Sequence, residues 1–211
     1  MDHKGYKEYG FANANESHMH VRFMPHVFAF AGELKPQTRV LDVGCGNGFT
    51  CGEFLKRGSY VVGIDLSGQG IDLARKTYPE GRFEMLPADD QLLANLQEEP
   101  FDIVVSTEVV EHLYDPRSYA RGCFRALKPG GCFICTTPYH GYLKNLALAL
   151  LGKWDAHANP LWDGGHIKLW SRITLTRLLV ETGFTNIQFR GVGRLPWLWM
   201  TMVVSGIKPL A

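Results

Sequence analysis

The chain has 211 residues, 45% of them hydrophobic and 20% charged, and a formal net charge of +1. That profile suits one soluble globular domain whose core is large enough to hold without disulfides or a structural metal. It excludes a global field that would draw in nucleic acid or strongly acidic partners. The opening residues Met1-Asp2-His3-Lys4-Gly5 carry no apolar run of the signal-peptide kind. The longest strongly apolar run, 195–204, falls well short of the ~20 residues of a spanning helix. Five cysteines without framework spacing are expected as reduced thiols, in a cytoplasmic setting.

Residues 1–35 read as a helical or loose N-terminal cap carrying Tyr6, Tyr9, Phe11, His18, His20 and Phe23. Short apolar runs then alternate with helical patterns, the sequence form of a parallel sheet with crossover helices. Strands are predicted at 39–43, 60–66, 82–86, 103–107 and 132–137, continuously apolar as in strands covered on both faces. Helices are predicted at 49–57, 69–78, 91–96 and 117–127, with Lys128-Pro129-Gly130-Gly131 stopping the last one in a turn. Cys132 and Cys135 sit three apart on a strand, so they face opposite ways and serve as core.

Beyond 138 the pattern changes. Residues 142–151 read as an apolar helix expected to bury against the sheet, with a membrane surface as the alternative. Residues 152–165 form a loop rich in Trp, His and Asp. A helix over 171–182 is capped by Ser171 and ended by Gly183. Strands at 184–190 and 197–204 are joined too tightly to run parallel, so they form an antiparallel hairpin. The expectation is an α/β, doubly wound, seven-stranded sheet, mostly parallel with a C-terminal antiparallel hairpin. It divides into a cap (1–35), a core (36–138), a substrate-side insertion (139–170) and a C-terminal helix and hairpin (171–211).

The turn after the first strand, Val40-Leu41-Asp42-Val43-Gly44-Cys45-Gly46-Asn47-Gly48, is the most telling stretch. Glycines accept positive φ and leave room for a ligand against the backbone. A nicotinamide dinucleotide site is the rival, but it asks for glycine where Phe49 stands. The stretch resembles motif I of the class I S-adenosylmethionine-dependent methyltransferases. The later order of Asp65, Pro87-Ala88-Asp89 and Leu127-Lys128-Pro129-Gly130-Gly131 is similar to that family as well, over roughly 35 to 206. The resemblance implies a Rossmann-like fold and S-adenosyl-L-methionine as cofactor. Gly44, Cys45, Gly46 and Gly48 would cradle its methionyl end. Asp65 would accept from both ribose hydroxyls, Leu66 would pack on the adenine, and Asp89 would accept from the adenine amino group, with capping of the next helix as its other role. Asp42 would orient the turn or meet the ammonium through water, and Thr107 would face the methionyl group.

After the fourth strand comes Thr107-Glu108-Val109-Val110-Glu111-His112. Glu108, Glu111 and His112 stand at i, i+3 and i+4, one face of a helical turn. This resembles two metal-assisted branches of the family, the O-methyltransferases of ubiquinone biosynthesis and the small-RNA 2′-O-methyltransferases, and His166 offers a further ligand. Glu108, Glu111, His112 and His166 are therefore candidates for Mg²⁺ or another divalent metal. His112 as a metal-free base, or a purely structural role, stays open. Tyr139 and His140 with the aromatic groups of the insertion could clamp a planar acceptor. The expected function is methyl transfer to a hydroxyl of a quinone-like or phenolic small molecule. Nitrogen, carbon and nucleic-acid acceptors, and a non-catalytic cofactor-binding module, are the alternatives. No concentrated basic stripe argues for long RNA. Peripheral membrane contact would suit a prenylated acceptor.

Overall fold

The structure, a computed structural model, describes residues 10–162 and 164–210. Tyr6 and Tyr9 of the expected cap, and Asp163 of the expected loop, lie outside them. The strands are β1 (Arg39–Val43), β2 (Tyr60–Asp65), β3 (Arg82–Met85), β4 (Phe101–Thr107), β5 (Leu127–Pro138), β6 (Thr185–Val192) and β7 (Thr201–Ile207). They form one seven-stranded sheet in the order β3-β2-β1-β4-β5-β7-β6. The first five run parallel, and β7 lies antiparallel to both β5 and β6. The doubly wound sheet with its terminal hairpin is as the sequence predicts.

The helices are α1 (His20–Ala31), α2 (Phe49–Leu55), α3 (Gly68–Thr77), α4 (Leu92–Leu96), α5 (Pro116–Ala126), α6 (Tyr142–Leu150), α7 (Trp154–His157) and α8 (Arg172–Thr182). Alternate strand residues feed two cores, one per face. On one face Val40, Val61, Ile103, Val105 and Ile134 pack with α1, α2 and α3 through Phe23, Val27, Phe54 and Ile71. On the other, Leu41, Val43, Val62, Val104 and Phe133 pack with α4, α5 and α8. Cys132 and Cys135 divide between the two faces as expected, and all five cysteines are free.

Several boundaries differ. Lys128-Pro129-Gly130-Gly131 is not a turn before the strand but part of it. β5 starts at Leu127, and Gly130, at φ +79°, absorbs an irregularity against β4. The hairpin strands sit further along than predicted, at Thr185–Val192 and Thr201–Ile207. The α8 caps are as read: Ser171 Oγ accepts from the Thr174 amide, and Gly183 closes the helix at φ +109°. The largest difference is α6. It buries Lys144 rather than its leucines, and Leu143 and Leu150 are 48% and 78% exposed. No helix among the described residues is long and apolar enough to cross a membrane.

Candidate active site

Parallel strands end together at their C-terminal edge, where a doubly wound sheet binds ligands at its topological switch point. Here the switch lies between β1 and β4, since β1 pairs with β2 on one side and β4 on the other. Gly44, Gly46 and Gly48 all adopt positive φ, at +79°, +50° and +79°. The Gly44 and Cys45 amides both donate to Ile64 O, at 2.8 and 2.9 Å, and so tie the turn to β2. A Cβ on Gly44 would lie 2.3 Å from Val109 Cγ2, so the glycine turn touches the segment that follows β4.

Asp65, at the end of β2, is held by two backbone donors. The Gly46 amide donates to Oδ2 and the Ser67 amide to Oδ1, both at 2.8 Å. Leu66 is half-buried beside it. Asp42 is fully buried under the turn. Cys51 Sγ donates to its Oδ2 at 3.2 Å, and its Oδ1 has no partner among the described residues. Burial pushes this carboxyl up to about 7, against the lowering effect of the Cys51 contact. Asp89 Oδ1 accepts from the Gln91 amide at 2.9 Å in the turn before α4, whose N-cap is Gln91. Thr107 closes β4 opposite Thr136.

Two features on this side escaped the sequence reading. A Cβ on Gly46 would lie 2.6 Å from Phe11 Cζ, so the Phe11 ring covers the turn. Asn47 Nδ2 donates to the carbonyls of Asn13 and Asn15, at 2.9 and 3.1 Å, and fastens that N-terminal stretch over the glycines. An asparagine inside a glycine turn was the available signal.

Past β4 the backbone departs from the expected helical face. Glu108 takes a left-handed φ of +55°, and only a 3₁₀ turn, Val110–His112, follows. Glu108, Glu111 and His112 therefore do not share a helix face. Glu108 turns back toward the sheet, where its Oε1 accepts from Thr136 Oγ1 and Thr201 Oγ1, at 2.8 and 2.9 Å. Left-handed backbone in a non-glycine residue costs on the order of 1–3 kcal/mol and gathers at functional sites.

The structure instead joins Glu111, His112 and His166, whose ligand atoms all lie within 4.8 Å of one another. Glu111 is 1% exposed; its Oε2 accepts from Thr137 Oγ1 at 2.9 Å, while its Oε1 has no hydrogen-bond partner among the described residues. The Nε2 atoms of His112 and of His166 each lie 4.0 Å from that Oε1. His112 Nδ1 meets the Gly164 and Gly165 carbonyls at 2.8 and 3.2 Å. A carbonyl only accepts, so Nδ1 carries a proton and Nε2 is the ring nitrogen facing the trio. His166 is brought in from far along the chain because the Ile167 and Lys168 amides donate to Glu111 O, at 2.9 and 3.0 Å. Burial, with His112 adding to it, lowers His166 to about 4 and keeps it a neutral donor. Burial and the adjacent Glu108 raise Glu111 well above the usual carboxylate range, and burial raises Glu108. A buried carboxylate oxygen without a hydrogen bond among the described residues, with two imidazole Nε2 atoms 4.0 Å away, suits a divalent cation.

A ligand-binding, Rossmann-like sheet of this order, with a glycine turn and an acid at the end of β2, is the scaffold of the class I methyltransferases. Known proteins agree. A family model described as a methyltransferase domain matches residues 15–189, and the chain belongs to that family of S-adenosylmethionine-dependent enzymes. It is 36% identical over 168 residues to a ubiquinone biosynthesis O-methyltransferase of Bradyrhizobium sp. (strain ORS 278), covering 75% of this chain and 63% of that protein. It is 36% identical over 129 residues to the protein of the same name from Maricaulis maris (strain MCS10), covering 59% and 50%. The chain thus spans roughly half to two thirds of the length of these relatives. An S-adenosylmethionine dependent methyltransferase from Mesorhizobium loti superposes with a TM-score of 0.66 at 20% identity, over 88% of this chain and 97% of that one. Phosphoethanolamine N-methyltransferase 2 from Haemonchus contortus, in complex with S-adenosyl-L-methionine, gives 0.63 at 17% identity, over 88% and 52%. These two likenesses speak for the fold.

Proposed function

We propose that this protein transfers the methyl group of S-adenosylmethionine to a hydroxyl of a small phenolic or quinone-like acceptor, with a divalent metal held by Glu111, His112 and His166. The observation that carries the reading is the contact between Gly44 and Val109. It sets the glycine turn directly against the segment bearing the carboxylate and imidazole trio. The names of the curated relatives point to the same acceptor class.

In this reading Gly44, Cys45, Gly46 and Gly48 leave the methionyl end room on the backbone. Asp65 takes the ribose hydroxyls, Leu66 and Asp89 flank the adenine, and Asp42 faces the ammonium. Thr107 borders the methyl group. The transfer is an in-line displacement: the acceptor oxygen forms the bond to the methyl carbon as the carbon–sulfur bond breaks. Holding oxygen, carbon and sulfur in line can contribute about 7–11 kcal/mol. A metal ion, when bound, supplies acidification of the acceptor hydroxyl. Glu111, His112 and His166 would hold it, while Thr136 and Thr201 keep Glu108 turned back toward the sheet. A metal-free reading is favoured by one observation, the position of His112 Nε2 facing the trio, which would then accept the hydroxyl proton itself.

Labelled S-adenosylmethionine with 1,2-dihydroxybenzene decides between them. Loss of transfer in excess chelator, with recovery on adding Mg²⁺ or Mn²⁺, is the expected result. His166→Ala should lower metal affinity by more than the ~10–100-fold typical of losing a supporting contact. Full activity under chelation would remove the metal and leave His112 as base. Tight cofactor binding without transfer to any acceptor would favour a non-catalytic module. The Leu143, Leu146 and Leu150 stripe on α6, solvent-facing at helical spacing, supports peripheral contact with a membrane carrying such acceptors.

A further inference from the structure

The glycine turn carries a contact that methyl transfer does not call for. Residues 10–19 lie across it without joining any helix or strand, and most of them are exposed. On Gly46, at φ +50°, an aromatic ring takes up the side that a Cβ would fill. That Cβ would lie 2.6 and 3.0 Å from Cζ and Cε1 of Phe11. In the proposed cofactor site the same room on the backbone receives the methionyl end. Ring and ligand cannot both occupy it.

Asn47 holds the ring there. Its side chain is buried and uses both ends. Nδ2 donates to Asn13 O and Asn15 O, at 2.9 and 3.1 Å, so both amide hydrogens go to the stretch. Oδ1 accepts from the Phe49 amide at 3.2 Å and so steadies the start of α2. At its other end the stretch turns into α1 at a fixed hinge. The Ser17 amide and Ser17 Oγ each lie 2.9 Å from His20 Nδ1, and an amide only donates, so Nδ1 is the accepting nitrogen. The His20 ring packs on Phe49 and Phe23, with centroids 4.7 and 5.2 Å away. A groove of about 920 Å³ is lined by Asn15 and Glu16 of the stretch and by Met24, Phe28 and Phe49 of α1 and α2. A segment held at a latch and a hinge, with a groove along it, has the low local stability of elements that move for ligands.

We propose that residues 10–19 are a strap over the cofactor site, with Phe11 as a plug on Gly46 and Asn47 as its latch, and that S-adenosylmethionine binds by displacing the ring. The proposal rests on the placement of the cofactor at the glycine turn and adds how entry to it is regulated. Only the open fraction takes ligand, so the closed strap lowers the apparent affinity and a weaker latch restores it. Two hydrogen bonds, each modest in net value, hold the ring while leaving opening within thermal reach. The returning ring competes with S-adenosylhomocysteine in the same way, and so helps to clear the product.

The test is calorimetric titration of the full chain with S-adenosylhomocysteine, beside limited chymotrypsin cleavage after Phe11 read by mass spectrometry. Asn47→Ser removes both latch bonds and keeps a neutral hydroxyl able to cap α2. Phe11→Ala removes the plug, a half-buried ring that belongs to neither core, and keeps the test open should Asn47→Ser impair folding. Each variant should bind S-adenosylhomocysteine about tenfold tighter than the wild type, the scale of losing two hydrogen bonds from the closed state. Cleavage after Phe11 should speed up with the ligand bound, because the ring then leaves the turn. An affinity in Phe11→Ala equal to or below that of the wild type, or slower cleavage with ligand, overturns the plug. Asp65→Ala separates this failure from that of the cofactor placement. Weaker binding in Asp65→Ala, with unchanged affinity in the strap variants, sinks the strap and keeps the placement. Binding that none of the three substitutions alters sinks the placement and the strap together.

Discussion

The two halves of the strand-edge cleft are built on different terms. On the β1–β2 side the polar groups largely satisfy each other: Asp65 takes two amides, Ile64 O takes two more, and Asn47 takes two carbonyls. On the β4–β5 side Glu111 Oε1, His140 Nδ1, Asn145 Oδ1 and His157 Nε2 are buried without hydrogen-bond partners among the described residues. Native proteins rarely leave such atoms unpaired, so they concentrate where something else is meant to bind. The contrast separates a glycine turn held by backbone hydrogen bonds from a β4–β5 side whose buried side-chain atoms stay unsatisfied among the described residues. Asp42 Oδ1, without a hydrogen-bond partner among the described residues, is the exception beneath the glycine turn.

The largest expected effect breaks the cradle. Gly44→Ala places a methyl 2.3 Å from Val109 Cγ2 at φ +79°. Left-handed strain and overpacking together should cost about 2–5 kcal/mol, read as a lower urea midpoint. A stability unchanged within error would show that the two halves do not abut. Next comes Thr137→Val, which removes the hydroxyl donated to Glu111 Oε2. Losing one partner of a buried group costs about 1–3 kcal/mol. Metal titration should also show ~10–100-fold weaker binding if Glu111 is a ligand, whereas an effect on stability alone would make Glu111 structural.

The smallest effect concerns Asp42 and pH. Its carboxyl keeps a proton up to about pH 7 in the fold, against 3.8 for the ordinary group. The folded state therefore binds more protons between those values, and Asp42 lowers stability as pH rises through that window. A cationic cofactor end nearby favours the ionised form, so cofactor affinity should climb with pH, by at most about tenfold per unit, until about pH 7. Asp42→Asn should flatten both curves. A wild-type affinity independent of pH from 5 to 8 would remove Asp42 from the cofactor's surroundings.

The cradle was legible because its signals are local. Glycines at fixed spacing, an acid ending the next strand, and caps at Ser171 and Gly183 act within a few residues of themselves. The acceptor side was only half legible. Glu111, His112 and His166 could be named from their chemistry, but their meeting depends on the Ile167 and Lys168 amides reaching Glu111 O across the chain. The i, i+3, i+4 spacing suggested a helix, and tertiary hydrogen bonds from Thr136 and Thr201 pulled Glu108 into a left-handed conformation instead. The α6 reading failed for a related reason. A leucine-rich helix looks buried, yet here the lysine went inside, where its Nζ donates to the Met200 carbonyl.

Glu111 takes part in this architecture twice, once through its carboxylate and once through its main-chain carbonyl. Whatever settles on the carboxylate must be felt along the short backbone path to the amides of Ile167 and Lys168. Those two N–H groups are built-in reporters of occupancy: their solvent exchange is the place to watch the proposed metal site fill, with no label near it.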